Sequence, residues 1–151
     1  MLTKEEIARI KQFFGFFGLV EDRVVVEEKN DTIVVSINIP EEEAGRFIGR
    51  FASTLDSMQL ILSMMINSGA AEHRHLVVDV AGYRERRLGT LKSMVERVQK
   101  DVVATGTPHA LPPLSASERR EIHLMFADDA KLTTFSQGEG ADRRVFIAPR
   151  D

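Results

Sequence analysis

The sequence contains no cysteine among its 151 residues. Disulfide bonds and thiolate metal sites are therefore excluded. It also lacks any apolar run of the roughly 18 residues that a membrane-spanning helix requires. Its first residues alternate charged with apolar side chains, unlike the uninterrupted apolar core of a signal peptide. These absences favour a cytoplasmic protein with no stable membrane insertion.

The motifs of nucleotide-binding enzymes are missing as well. No P-loop pattern G-x-x-x-x-G-K-[ST] occurs, and residues 45–52, a glycine-rich stretch, lack the acidic ribose partner of a dinucleotide fingerprint. His73 and His75 could approach a metal together with Asp79, but Arg74 lies between them and argues against a metal site. Spacing places no serine, threonine or carboxylate in relay with a histidine. We therefore expect no enzyme, no cofactor and no metal.

Acidic charge predominates slightly, with a net charge of −3. The two parts of the chain differ, however: residues 1–83 hold 8 basic against 13 acidic side chains, whereas residues 84–151 hold 12 against 10. The late positive charge includes the arginine pairs 86–87, 119–120 and 143–144. Because local potential governs phosphate binding more than the total does, nucleic-acid binding remains open.

Hydrophobic periodicity in the first part predicts helix, hairpin, turn, helix and strand. The first helix should end near Gly18, and Asn30-Asp31 should join two strands in a hairpin. Residues 45–52 are expected to form a turn before a helix that stops at Asn67, and residues 75–80 a strand. The core-facing residues are expected to be Ile7, Ile10, Phe14 and Phe17, then Ile33, Val35, Ile37 and Ile39, then Leu55, Met58, Leu62 and Met65.

The second part predicts helix, short strand, helix and two strands. A long helix from Tyr83 should close at Gly106, where a proline follows shortly after. The prolines within residues 109–114 restrict that segment to a sheet edge, and Ser115 or Ser117 should cap the next helix. Core residues are expected at Leu88, Leu91, Val95, Val98, Val102, Ile122 and Phe126. The whole chain is thus expected to be α+β, with two small units that divide near residue 83.

Two constellations could carry chemistry. A turn that opens a helix presents free backbone N–H groups to a phosphate, and Gly49-Arg50-Phe51-Ala52 resembles the Gly-x-x-Gly loop with which KH domains clamp a single strand. A plain connection is the alternative. Arg119 and His123, four residues apart, share a helix face and suit a phosphate and a base. Here the alternative is a solvated face with an incidental histidine.

Phe51 is unusual at the tip of such a loop, where polar or basic residues would face an RNA backbone. The ring could rest on Phe47 or Met58 of its own fold. Otherwise it is available to stack on a base or to contact another protein. The acidic character of residues 1–83 favours the protein contact over the base.

Five segments together resemble the Jag family (SpoIIIJ-associated proteins), which carry a KH domain followed by an Arg-x3-His (R-3-H) domain. The resemblance covers nearly the whole chain. The first segment matches a loop-and-helix signature, and another resembles the family's domain junction. The matching residues are Gly45 to Arg50 with Thr54, Leu55, Asp56 and Gln59; Asn67 at the helix end; Asp79 to Arg84 with Arg86 and Arg87; Glu118 to His123; and Ser136 to Glu139 with Arg143, Arg144 and Val145.

The resemblance implies two small α/β sandwiches: a type II-like KH domain over residues 1–82 and an R-3-H domain over residues 83–151. It implies a non-enzymatic bacterial protein that binds single-stranded RNA, with single-stranded DNA as the alternative, and that acts in post-transcriptional regulation linked to cell elongation or division. The implied contact residues are Arg119, Arg120, His123, Arg143 and Arg144, together with Gly49, Arg50, Phe51 and Ala52.

Two departures from the family pattern bear on these expectations. Ala52 stands where the family's loop has its last glycine, and a left-handed backbone there would cost about 1 kcal/mol. Family members also commonly carry a small N-terminal domain, which residues 1–151 do not match, so we expect its role to be lost or separately encoded. A protein-interaction adaptor therefore stays open, in which the KH domain pairs with a second KH protein or with another copy.

Overall fold

The computed structural model describes residues 2–150, and the chain divides into two compact units after Arg84. Each unit packs helices against its own three-stranded sheet. The expected α+β class is confirmed. The finer division into named domains at residues 82 and 83 stays a prediction. Within the described residues, no helix is both long enough and apolar enough to cross a membrane.

The first unit has the order helix, hairpin, two helices and strand. Two short 3₁₀ turns, Glu21–Arg23 and Arg50–Ala52, precede β1 and α3. The elements are α1 (Lys4–Gly15), β1 (Val24–Lys29), β2 (Thr32–Ile37), α2 (Glu41–Ile48), α3 (Ser53–Asn67) and β3 (His75–Val80).

The sheet of the first unit is mixed. β2 lies in the middle, antiparallel to β1 and parallel to β3. The predicted hairpin is confirmed: Asn30 and Asp31 have φ of 50° and 60°, as a two-residue turn between twisted strands requires. Alternation along β2 buries one face, so that Ile33, Val35 and Ile37 are core residues as expected.

Helix α2 corrects the sequence prediction, because residues 45–48 belong to a helix and only residues 49–52 form the loop. The helix follows Pro40, and the three glutamates of its first turn stabilise the positive end of its dipole. It is only eight residues long and buries only Ala44 and Phe47. Its apolar signal was therefore short, and Gly45 inside it suggested a turn.

Helices α1 and α3 largely follow their predicted patterns. α1 begins at a capping box formed by Thr3 and Glu6, but it ends at Gly15 rather than near Gly18. The expected inward position of Phe17 was wrong, since this side chain lies beyond the helix and is 46% exposed. α3 ends at Asn67 as predicted and buries Leu55, Met58, Leu62 and Ile66.

The second unit begins within a long helix and continues with an antiparallel sheet. The order β4-β6-β5 places β4 at an edge, as its flanking prolines predicted. A 3₁₀ turn, Gly140–Asp142, lies between the last two strands. The elements are α4 (Tyr83–Thr105), β4 (His109–Ala110), α5 (Ala116–Met125), β5 (Leu132–Gln137) and β6 (Arg144–Pro149).

One apolar core holds the second unit together. It joins one face of α4 and of α5 to the inner face of the sheet, where Val145 and Ile147 are fully buried. Ile122 and Phe126 face this core as predicted. Leu88 was wrongly assigned to it, because its side chain is 37% exposed. The inward stripe of α4 instead starts at Leu91, one turn later.

Candidate nucleic-acid interface

Helix α5 is fixed at its first turn by a reciprocal cap. Ser115 Oγ accepts a hydrogen bond from the Glu118 amide at 3.2 Å, and Glu118 Oε2 accepts one from the Ser115 amide at 2.9 Å. The other carboxylate oxygen of Glu118 accepts from Arg87 Nε at 2.5 Å. This pairing ties the start of α5 to α4 and so sets the direction in which α5 presents its side chains.

Burial raises the pKa of Glu118, but the hydrogen bonds from Arg87 and Ser115 outweigh it and hold the pKa below its usual value. The carboxylate is therefore charged at neutral pH, and its ion pair with Arg87 is intact there.

Arg119 and His123 lie on one face of α5, as their spacing predicted, and both are half-buried. Arg119 Nη1 donates to the carbonyl of Leu114 at 2.7 Å, which anchors one edge of the guanidinium. The His123 ring reaches β5, where Nδ1 lies 2.7 Å from Thr134 Oγ1 and Nε2 lies 2.9 Å from Ser136 Oγ. Both ring nitrogens are thus engaged within the unit.

These side chains border a shallow depression of about 220 Å³ on the second unit. Cations from two elements meet there: Arg119 and Arg120 from α5, and Arg143 from the segment before β6. The lining residues are Ala116, Arg119, Arg120, His123, Ser136 and Arg143. Three guanidinium groups around a concave surface form a site suited to phosphate oxygens.

Arg143 reaches the depression through a tight turn after β5. Gly138 has φ of 95°, and a Cβ there would lie 2.9 Å from the carbonyl oxygen of Asp142. Only glycine fits both conditions. Arg144 does not line the depression. It begins β6 in register with Gln137, on the face opposite to buried Val145. The structure therefore separates two neighbouring arginines that the sequence placed in one group.

The loop of residues 49–52 in the first unit depends on backbone shape instead. Gly49 has φ of 72°, and a Cβ there would collide with Thr54 Oγ1. Phe51 and Ala52 also have positive φ, 53° and 60°, a conformation that costs a side-chain-bearing residue about 1–2 kcal/mol. Ala52 thus has the left-handed backbone that strains an alanine. No side chain caps α3 at this loop.

Phe51 is 38% exposed at this loop. The guanidinium of Arg50 lies over its ring, 5.1 Å from the ring centre, within the range of a cation–π contact. The structure thus places Gly49, Arg50, Phe51 and Ala52 together in one loop, while Arg119, Arg120, His123 and Arg143 gather in the second unit.

The two neighbouring histidines of the first unit, His73 and His75, were considered above as metal ligands. His73 and His75 lie edge to face with their ring centres 5.8 Å apart. Among residues 2–150 there is no group of three or more histidine, aspartate or glutamate side chains that could hold a metal ion.

A family model for the R-3-H domain matches residues 89–149. Residues 89–149, within the second unit, are an R-3-H domain. Its α5 carries the Arg119 and His123 pair, and its β5 supplies the two hydroxyl groups that hold the histidine. These hydroxyl partners were not predicted, because they lie 11 and 13 residues beyond His123 and only the sheet brings them near. Ser136 alone had a sequence signal, since it begins a matched segment.

Curated relatives extend the match beyond the R-3-H domain. A protein of Lactiplantibacillus plantarum named RNA-binding protein KhpB is 36% identical over 115 residues, covering 76% of this chain and 36% of that protein. Proteins of the same name from Clostridium symbiosum and Bacillus subtilis are each 29% identical, over 97% and 83% of this chain and 66% and 60% of theirs. The resemblance to the Jag family is confirmed. The chain spans from about one third to two thirds of the length of these relatives.

Proposed function

We propose that this chain is a non-enzymatic RNA-binding protein, and that it holds single-stranded RNA chiefly through the depression of its R-3-H domain. The observation that carries this proposal is the convergence of Arg119, Arg120 and Arg143 on one concave surface. Guanidinium forks bind phosphate through paired hydrogen bonds and keep their charge at any physiological pH. The names of the curated relatives support RNA as the ligand.

The side chains of the depression contribute to binding in different ways. Arg119 is oriented by the Leu114 carbonyl, so it meets a phosphate with little loss of conformational freedom. Arg120 and Arg143 are exposed and add charge at the rim. His123 acts as a positioning residue, because the hydroxyl groups of Thr134 and Ser136 engage both of its ring nitrogens and fix the orientation of the ring.

For the first unit we propose a type II-like KH domain over residues 1–82, joined to the R-3-H domain over residues 83–151. Its loop would follow the RNA backbone with Gly49 and Arg50, supported by the backbone N–H groups of the first turn of α3, which no side chain caps. The positive φ of Ala52 and the acidic charge of this unit make its contribution the smaller one.

The resemblance to the Jag family supports a broader role for the whole protein. We infer that it works in the cytoplasm in post-transcriptional regulation, linked to cell elongation or division. Single-stranded DNA is the competing ligand, because phosphate contacts alone do not distinguish it from RNA.

The test is a titration of the full chain with a single-stranded RNA oligonucleotide at several salt concentrations. We expect micromolar or weaker binding, and a slope of log affinity against log salt of about −2 to −3 if three or four phosphates are engaged. The matched control is the Arg119→Gln, Arg120→Gln, Arg143→Gln triple variant, which should flatten the slope. No binding by the unaltered chain at about 50 mM salt, where phosphate contacts are strongest, would contradict the proposal.

A second candidate function, protein contact through the first unit, is favoured by one observation. α3 exposes three large apolar side chains, with Leu60 61%, Ile61 50% and Met64 66% accessible. Such a face suits a second KH domain, from another copy or another protein. Sedimentation should show self-association that Met64→Lys abolishes, while Val103→Lys, at a 74% exposed position of α4, leaves it unchanged. A monomer at every concentration would argue against pairing between copies.

A further inference from the structure

The outer face of the second sheet carries a pair of stacked aromatic rings. Phe135 of β5 and Phe146 of β6 lie directly opposite each other in register. Their ring centres are 5.1 Å apart and their planes differ by only 2°. Alternation along β6 sends Phe146 away from Val145 and Ile147, which are buried in the core. The ring pair is therefore on the face that the helices of this unit do not cover.

Core packing does not account for this pair. Phe135 is 40% exposed, and neither ring belongs to the apolar cluster formed by the helices and the inner face of the sheet. A cross-strand aromatic pair does add about 0.2–1 kcal/mol to sheet stability. That contribution explains why two large side chains face each other, but not why one of them keeps so much surface in water.

Arg144 gives this face its charge. It lies on β6 two residues from Phe146, so its side chain leaves the sheet on the same side as the rings. Its partner in register is Gln137, a neutral residue with hydrogen-bonding capacity. Of the seven strand residues that the structure describes on this face, only Arg144 is charged. The other positions are Ala110, Thr133, Phe135, Gln137, Phe146 and Ala148.

The depression and the ring pair are close along the chain. Arg143 lines the depression, and Arg144, the next residue, faces the rings. Because successive strand residues point to opposite faces of a sheet, one nucleic-acid strand that passes the start of β6 can meet Arg143 on one face and then Arg144 on the other. Exposed aromatic faces bind single-stranded bases without regard to sequence.

We propose that the outer face of the R-3-H sheet is a second RNA contact, in which a base stacks on Phe135 and Arg144 holds the adjoining phosphate. The proposal rests on the RNA binding proposed above and adds a base contact to it. A single strand held at the depression continues past Arg143 onto this face. The site takes unpaired nucleotides, because a base within a duplex has no free face to offer the ring.

The test compares Phe135→Leu with Phe135→Tyr in the full chain, using two fluorescent single-stranded oligonucleotides of equal length. One carries ordinary bases and the other a central run of stable abasic residues, so both have the same phosphates. Phe135→Leu keeps an apolar side chain but removes the aromatic face, whereas Phe135→Tyr keeps that face. Phe16→Leu, at an 81% exposed position of the first unit, controls for the loss of an exposed phenylalanine. Melting temperatures show whether each variant is folded.

We expect Phe135→Leu to weaken binding of the base-containing strand at least about fivefold, the lower bound for loss of one stacked base. Phe135→Tyr and Phe16→Leu should bind as the unaltered chain does. The abasic strand should bind the unaltered chain and Phe135→Leu equally, at the weaker level.

Equal affinity of the unaltered chain for both strands would overturn the stacking contact while leaving phosphate binding in place. So would a folded Phe135→Leu variant that binds the base-containing strand normally. If the unaltered chain binds neither strand at low salt, the proposed function fails and the stacking contact fails with it.

Discussion

The loop at residues 49–52 and the depression of the R-3-H domain, the two proposed phosphate-binding sites, are built differently. The loop depends on backbone shape: three of its four residues have positive φ, and one of them is glycine. The depression depends on the side chains of three arginines, one of which, Arg119, is held by the carbonyl oxygen of Leu114. A backbone site depends on one conformation of the loop, whereas in a cluster of charges each arginine contributes its own share of the affinity.

The charge distribution follows the same division. The first unit, residues 1–84, holds 13 acidic against 9 basic side chains, whereas the second unit, residues 85–151, holds 10 acidic against 11 basic ones. An acidic unit repels a polyanion beyond the immediate contact, and a basic one attracts it. Both considerations favour the second unit as the larger contributor to the proposed RNA binding. The variants below test whether the two regions differ in this way.

The largest expected effect is on the loop. Gly49→Ala should destabilise the first unit by about 2–4 kcal/mol, because the new methyl group meets Thr54 and φ is positive. Gly45→Ala is the matched control: it lies inside α2, and its Cβ would meet nothing within 4 Å. That change should stabilise the unit by up to about 1 kcal/mol through helix propensity. Thermal unfolding followed by circular dichroism measures both. Equal melting temperatures would show that the loop is not held as described.

A smaller effect on stability is expected at the ion pair between Glu118 and Arg87, which holds the start of α5. Glu118→Gln keeps the cap but removes the charge from the pair with Arg87, and should cost about 1 kcal/mol at pH 7. The folded-state pKa of Glu118 is lowered from 4.5. Its contribution is therefore complete above about pH 4.5 and is lost as the pH falls through the folded value. Urea unfolding at pH 7 and pH 3 should show the two proteins converging at the lower pH. A difference that persists unchanged would contradict the ion pair.

The smallest effect concerns Ala52. Replacing it with glycine relieves a left-handed alanine but increases the freedom of the unfolded chain, for a net gain of about 0.5 kcal/mol. Ala44→Gly, at a buried position of α2, is the control and should destabilise. If the loop contributes to RNA binding, Ala52→Gly should also raise affinity slightly. A loss of stability in Ala52→Gly would mean that the positive φ is not a source of strain.

Long periodic elements were predictable from the sequence, whereas the short helix α2 and the ends of the core-facing stripes were not. The stripes of α3, α4 and α5 and the alternation of β2 gave elements with few errors, because burial on one face imposes a period. α2 was missed since eight residues with two core positions carry little periodic signal. Phe17 and Leu88 were wrong because each continued a pattern past the point where the helix meets its core.

The candidate site was only partly predictable for a related reason. The Arg119 and His123 pair followed from helical spacing, but the ring partners on β5 depend on tertiary packing. Several matched signature residues turn out to hold the first unit together. Gln59 Oε1 accepts from the Val78 amide at 3.0 Å and from Arg84 at 2.7 Å. Asn67 bonds both the amide and the carbonyl of Arg74. A sequence motif does not separate such structural roles from binding.

The most direct test of the account compares two single arginine variants in the full chain, Arg143→Ala and Arg50→Ala, by their affinity for one single-stranded RNA at low salt. A charged hydrogen bond to phosphate contributes about 1.5–3 kcal/mol, so Arg143→Ala should weaken binding about tenfold or more. Arg50→Ala should weaken it less than about threefold, which is below 1 kcal/mol. If Arg50→Ala instead abolishes binding while Arg143→Ala leaves it intact, the loop and not the R-3-H depression holds the RNA.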